Sequence, residues 1–181
     1  MTYYGGKELA SSFATVRKNT IQIAQEIPEE QYNFTVSPET RSVAQMLVHV
    51  AIAPGLFWRP IHEARLTSME GFDIFETMRQ LKEEEAKPRT KSEVVDLLTG
   101  EGQRFCDFLE TMSESDLAER VSSPVTPAPR SRFEMLLGAK EHEMHHRAQL
   151  MLIERQLGIV PHLTRQMNAR VEEMMKARAG T

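Results

Sequence analysis

The sequence predicts an all-α bundle, and three observations carry that prediction. Apolar residues recur at steps of three and four along most of the chain. Serine and threonine capping boxes open two of the long segments. No segment alternates in the manner of a strand. Four long helices, a short extra helix and a helical C-terminal extension account for the pattern.

Leu9, Phe13, Val16, Thr20, Ile23 and Ile27 define an amphipathic helix over about 7–27, which Pro28 ends. A loop over 28–40 carries turn chemistry at Asn33, Ser37 and Pro38. Ser37 and Ser42 are both candidate caps for a second helix through Val43, Met46, Leu47 and Val50. Pro54-Gly55 is expected to kink or break it before Phe57-Trp58. Phe72, Phe75, Met78 and Leu81 space a shorter helix within 71–85. The run Lys82-Glu83-Glu84-Glu85 reads as its solvated end. Thr90 and Glu93 form the first capping box, opening a third long helix through Phe105, Phe108 and Met112. Ser131 and Glu134 form the second, opening a fourth that runs to about Leu157, with Gly158 as its stop. Met167, Val171, Met174 and Met175 mark an amphipathic tail, for which dimer contacts are one expected use.

Composition bounds the function. A chain of 181 residues predicts one domain, with its core over about 7–160 and a helical tail over 161–181. The 40% apolar content is too high for a disordered chain. A net charge of −4 without a basic block argues against a nucleic-acid partner. No apolar run reaches the length of about 20 residues that a membrane span needs. Cys106 alone cannot form an internal disulfide, and it sits between Phe105 and Phe108 as an expected core residue. With an N-terminus that does not resemble a signal peptide, the expected compartment is a reducing cytoplasm.

The chemistry concentrates in six histidines, three of them between positions 142 and 146. His142 and His146 are four apart, about 40° on a helix, so both occupy one face. Gln149, Ile153, Met135 and Gly138 share that face, which makes it apolar and leaves room beside the imidazoles at Gly138 and Ala139. Two inward histidines with space beside them suit a metal site in a bundle core. Two ligands rarely hold a transition metal, and His49, on the apolar side of the second helix, is the candidate third. Three imidazoles with an open position form a catalytic type of zinc site, although imidazole equally suits nickel, iron or copper. His145 belongs at the rim, as an outer-shell group or proton shuttle. His62 and His162 lack a partner at ligand spacing and read as solvated or packing residues.

The segment from His142 to His146 also satisfies H-E-x-x-H, with Glu143 as the general base of a metalloprotease. The residues that extend that motif do not match at Leu152 and its neighbours, although Glu172 and Glu173 remain as distant candidate ligands. The strands that flank a protease cleft are not predicted. The motif therefore argues for metal more than for proteolysis.

These residues together resemble the DinB/YfiT-like superfamily of metal-dependent proteins. The resemblance spans about 7–160. It rests on Ile27-Pro28-Glu29-Glu30-Gln31-Tyr32, on residues Arg41 to Ala51 around His49, and on Lys91-Ser92-Glu93. It rests further on His142 to Gln149 and on Gln156-Leu157-Gly158-Ile159. The chain departs from it at Ala148, where the family commonly has glycine. The resemblance implies an up-down-down-up four-helix bundle, often homodimeric, that binds a divalent ion through positions matching His49, His142 and His146. It further implies transfer or isomerisation chemistry with a low-molecular-weight thiol such as bacillithiol, mycothiol or glutathione.

The expected function is accordingly metal-dependent (zinc, nickel or iron) transfer of a thiol to a small-molecule substrate. Hydrolysis through metal-bound water and a non-catalytic metal-binding or stress-response role are the alternatives. Glu143, His145 and Gln149 are the candidate acid–base or orienting groups. Trp58 and Arg59, with Phe57, are candidates for the substrate or cofactor mouth, set against plain packing for the aromatics and a solvated charge for the arginine.

Overall fold

The computed structural model describes residues 4–124 and 126–179. In chain order the elements are α1 (Gly6–Glu26), a 3-10 turn (Glu29–Gln31), α2 (Val43–Ala53), a π-helical turn (Pro54–Trp58) and α3 (Arg59–Glu63). They continue with α4 (Ile74–Ala86), α5 (Lys91–Glu110), α6 (Glu114–Ala118), β1 (Arg120–Val121), β2 (Arg130–Ser131), α7 (Arg132–Gln156) and α8 (His162–Ala179). The predicted boundaries hold to within a few residues, because the caps do what their chemistry dictates. Ser42, Thr90 and Ser131 each accept the amide three residues on, and Gln45, Glu93 and Glu134 reach back to the capping residue. The cap of α2 is therefore Ser42, while Ser37 closes a turn with Thr40. At the end of α7, Gly158 takes φ +78°, and the amides of Gly158 and Ile159 bond the carbonyls of Arg155 and Glu154, a Schellman stop.

α1 and α2 each pack against both α5 and α7, so the order around the bundle is α1–α5–α2–α7. α4 lies along α2. The apolar interior divides into one cluster around Ile23, Leu47, Val94, Leu98, Leu150 and Ile153 and another around Phe13, Phe105, Leu109 and Leu136. On α1, Arg17 falls between Phe13 of one cluster and Ile23 of the other.

α2 ends at Pro54, but the chain stays helical, passing through a π-helical turn and on into α3. A proline at 54 cannot donate to the carbonyl of Val50, and that carbonyl is taken instead by Arg17 Nη2 at 2.9 Å. The all-α architecture holds, with one short ribbon added. β1 and β2 pair antiparallel, Arg120 with Ser131 and Val121 with Arg130, in a two-residue ribbon too short for alternation to reveal.

α8 follows its predicted tail, but only its first turns meet the bundle. Residues 165–179 are all exposed, including Met167, Val171, Met174 and Met175. Among the described residues, no helix is long and apolar enough to cross a membrane.

Candidate metal centre

The structure brings His49, His142 and His146 together, with one ring nitrogen of each within 4.8 Å of the others. They are the only such group of histidine, cysteine or acidic side chains among the described residues. α7 presents His142 and His146 from successive turns, and α2, diagonal to neither α5 nor α7, supplies His49. The rings of His49 and His142 lie with Nε2 facing Nε2 at 2.9 Å. His49 and His146 are buried and His142 half-buried.

The protonation of two of the three rings follows from their neighbours. Glu85 Oε1 lies 2.8 Å from His49 Nδ1, so that nitrogen donates and Nε2 is left with its lone pair. Gln149 Oε1 lies 2.8 Å from His146 Nδ1 and acts in the same way. Burial, followed by the neighbouring histidines, pushes His142 down to about 3. Burial likewise pushes His146 down to about 4, against the hydrogen bond its Nδ1 donates to Gln149 Oε1. Ring nitrogens of three histidines within 4.8 Å of one another, on two rings held by Nδ1 partners, form a donor set that a cation satisfies. A Zn–N bond of about 2.0–2.1 Å, in tetrahedral geometry, separates two ligand nitrogens by about 3.3 Å, a spacing this cluster can meet with small ring shifts. The Nδ1 atom of His142 is buried without a hydrogen-bond partner among the described residues. The residues fit a divalent metal.

The remaining candidates divide. Gln149 orients His146, and its Nε2 reaches His145 Nε2 at 3.2 Å, which places His145 at the exposed rim as expected. Trp58 packs its ring 5.4 Å from that of His142. The space expected at Gly138 is filled by this indole, since a Cβ there would stand 3.3 Å from Trp58 Nε1. Arg59 does not face the histidines. It is 3.4 Å from Glu63 and borders a separate cleft with Arg65 and Arg104.

Glu143 is likewise not at the centre. Arg17 holds it through Nε at 2.9 and 3.1 Å and through Nη2 at 2.9 Å, in the bundle interior. One residue past His142 is about 100° around the helix, which turns Glu143 away from the metal side. The protease reading of H-E-x-x-H fails on this contact. Glu172 and Glu173 are exposed on α8 and outside the histidine group.

His62 and His162 are buried rather than solvated. His62 Nδ1 accepts from Arg132 Nη1 at 3.2 Å, and burial with that guanidinium pushes it down to about 4. His162 lies 3.3 Å from Asn19. Cys106 is buried as expected, and burial raises its thiol.

Glu85, beside a candidate ligand, carries no marker in the sequence beyond its position. The acidic run ending in Glu85 is solvated for most of its length, yet the Glu85 side chain is only 8% exposed. Its second oxygen binds Arg41 Nε at 2.8 Å. Burial alone would raise its carboxyl, but the bonds from His49 and Arg41 hold it below the ordinary value. The available signal was position: on α4, Glu85 lies four residues after Leu81, on the buried side.

A cavity of about 1010 Å³ opens beside the centre, with His146 and Gln149 in its wall together with Met46, Leu81 and Ile153. The DinB superfamily profile matches residues 12–150. The chain belongs to the DinB superfamily. Solved DinB-like structures share the fold. YfiT from Bacillus subtilis, described as a probable metal-dependent hydrolase with an unusual four-helix bundle topology, is similar with a TM-score of 0.67 at 16% identity, over 88% of this chain and 91% of its own. A DinB-like protein from Bacillus subtilis gives 0.61 at 19% identity, over 83% and 92% of the two chains. An uncharacterised protein from Clostridium difficile gives 0.65 at 13%, over 86% and 98%. No curated protein matches this DinB-superfamily chain.

Proposed function

We propose that this DinB-superfamily protein is a metal-dependent enzyme that transfers a low-molecular-weight thiol to a small molecule. The observation that carries the reading is the convergence of three histidine rings, two of them oriented by Nδ1 partners, beside an open cavity. His49, His142 and His146 would hold a divalent ion, which would supply a Lewis acid able to lower the pKa of a thiol or of water. The protein's own part is positional. Glu85 and Gln149 fix the ring orientations of His49 and His146, which preserves the lone pairs toward the ion. Trp58 closes one side of His142 against water.

Thiol transfer is favoured by what surrounds the site. The carboxylate next to His142 in sequence, Glu143, is consumed by Arg17, and Glu85 is occupied by His49 and Arg41. A thiol is far more acidic than water, so its ionisation beside a cation would release the proton to solvent without a carboxylate base. Hydrolysis is the second reading, supported by the description of YfiT and by His145 at the rim as a proton acceptor.

Metal analysis of protein purified without chelator is expected to give about one divalent ion per chain, mostly lost in His49→Ala and in His142→Ala. Full retention in both variants would overturn the site. Assays with bacillithiol, mycothiol and glutathione against a panel of electrophiles then test transfer. Ester or amide cleavage without added thiol would select hydrolysis instead.

A further inference from the structure

The cavity beside the histidines has a character that the metal reading does not use. Its floor is apolar, formed by the buried Met46, Leu81 and Ile153. Its upper walls are apolar too, yet open: Phe75 is 84% exposed and Leu152 63%, with Met78 and Val36 also exposed. Phe75 and Met78 carry the helical periodicity of α4, but only Leu81 of that series enters the core. Large apolar side chains left in water across a concave surface mark a binding site for an apolar group. A volume of about 1010 Å³ is of the size that encloses a small organic ligand.

The charges in the wall are matched with one exception. Arg41 is paired with Glu85, Arg79 with Glu76 and Glu83, and Glu39 takes the Ser37 hydroxyl. Lys82, one helical turn from both Met78 and Glu85 on α4, has no hydrogen bond or ion pair among the described residues. It is a cation without a partner on an apolar wall.

We infer that this cavity binds an amphipathic organic anion, its apolar body along Phe75, Met78 and Leu152 and its acidic group at Lys82. The inference rests on the reading of the histidine centre as acting on small molecules, and it names the class of molecule. Concavity and continuity with His146 and Gln149 favour such a ligand over a second copy of the chain, whose interface would be flatter and would leave the floor empty.

Octanoate and octanamide separate the two parts of this claim, titrated by calorimetry into the full chain with and without added zinc. Octanoate is expected to bind saturably, and octanamide about three- to fivefold more weakly, the effect of one exposed charge pair. Lys82→Gln is expected to erase that difference. Leu152→Asp, a change at an exposed position, is expected to weaken both ligands at least tenfold. Equal binding of the two ligands to the unsubstituted chain, or octanoate binding unchanged by Leu152→Asp, would overturn the inference. So would a Leu152→Asp variant that dissociates a dimer while binding octanoate normally. Zinc content is measured on the same samples. Octanoate binding without zinc uptake would reject the metal reading and leave the ligand site standing. Zinc uptake without octanoate binding would reject the ligand site alone.

Discussion

Glu85 on α4 receives the Nδ1–H of His49 on α2 at 2.8 Å, and its other oxygen holds Arg41 at the same distance. The carboxylate thus fixes both the tautomer and the ring plane of a candidate ligand from outside the bundle of long helices. Outer-shell partners of this kind contribute about 10–100-fold to metal affinity. Glu85→Gln is expected to weaken zinc affinity within that range while leaving the helical content unchanged, as read by competition with a chelating dye. Unaltered affinity would show that Glu85 does not support the centre.

Arg17 and Glu143 form a buried ion pair, with side chains 4% and 1% exposed. Arg17 also caps the carbonyls of Leu98 and Val50, so four helices meet at one guanidinium. Removing one partner strands a buried charge, a cost of about 3–5 kcal/mol. Glu143→Gln is therefore expected to lower the unfolding free energy by much of that amount while the purified protein still takes up metal at its folded temperature. Loss of metal at full stability would instead return Glu143 to the centre.

Trp58 is the one tryptophan in the chain, and its ring lies 5.4 Å from that of His142. Its fluorescence should report occupancy of the histidines directly. Addition of zinc or nickel is expected to shift or quench the emission with a midpoint equal to that of direct metal binding. His142→Ala is expected to abolish the response. An emission that ignores bound metal would contradict this placement of the indole.

Glu154 on α7 is fully buried, and neither of its carboxylate oxygens has a hydrogen-bond partner among the described residues. Burial first, and then the charge of Glu26, raises its carboxyl from 4.5 to about 7. A folded value above the unfolded one means that the folded chain holds the proton more tightly. The stability this contributes is complete below about 4.5 and is lost as pH rises through about 7. Glu154→Gln removes the ionisation, and should raise stability at pH 8 by on the order of 1–2 kcal/mol with little change at pH 5. Thermal unfolding across that range checks the sign. A difference independent of pH would exclude the carboxyl as its source.

The all-α architecture was legible in the chain because its signals are local. Caps such as Ser131 with Glu134, the stop at Gly158 and the spacing of His142 and His146 act over a few residues. Composition and helical period therefore determined the elements, and they placed two histidines on one face. What lay beyond the sequence is a matter of contacts between helices. Glu143 and His142 are adjacent in the chain, yet Arg17, 126 residues from Glu143, turns one of them into a structural ion pair. Glu85 looked like the end of a solvated acidic run until α4, laid along α2, set it against His49. A charged side chain on an amphipathic helix has no local marker for the partner it will meet. Only the packing of α4 and α1 against the rest of the bundle decides which carboxylate supports the histidines and which one is removed from them.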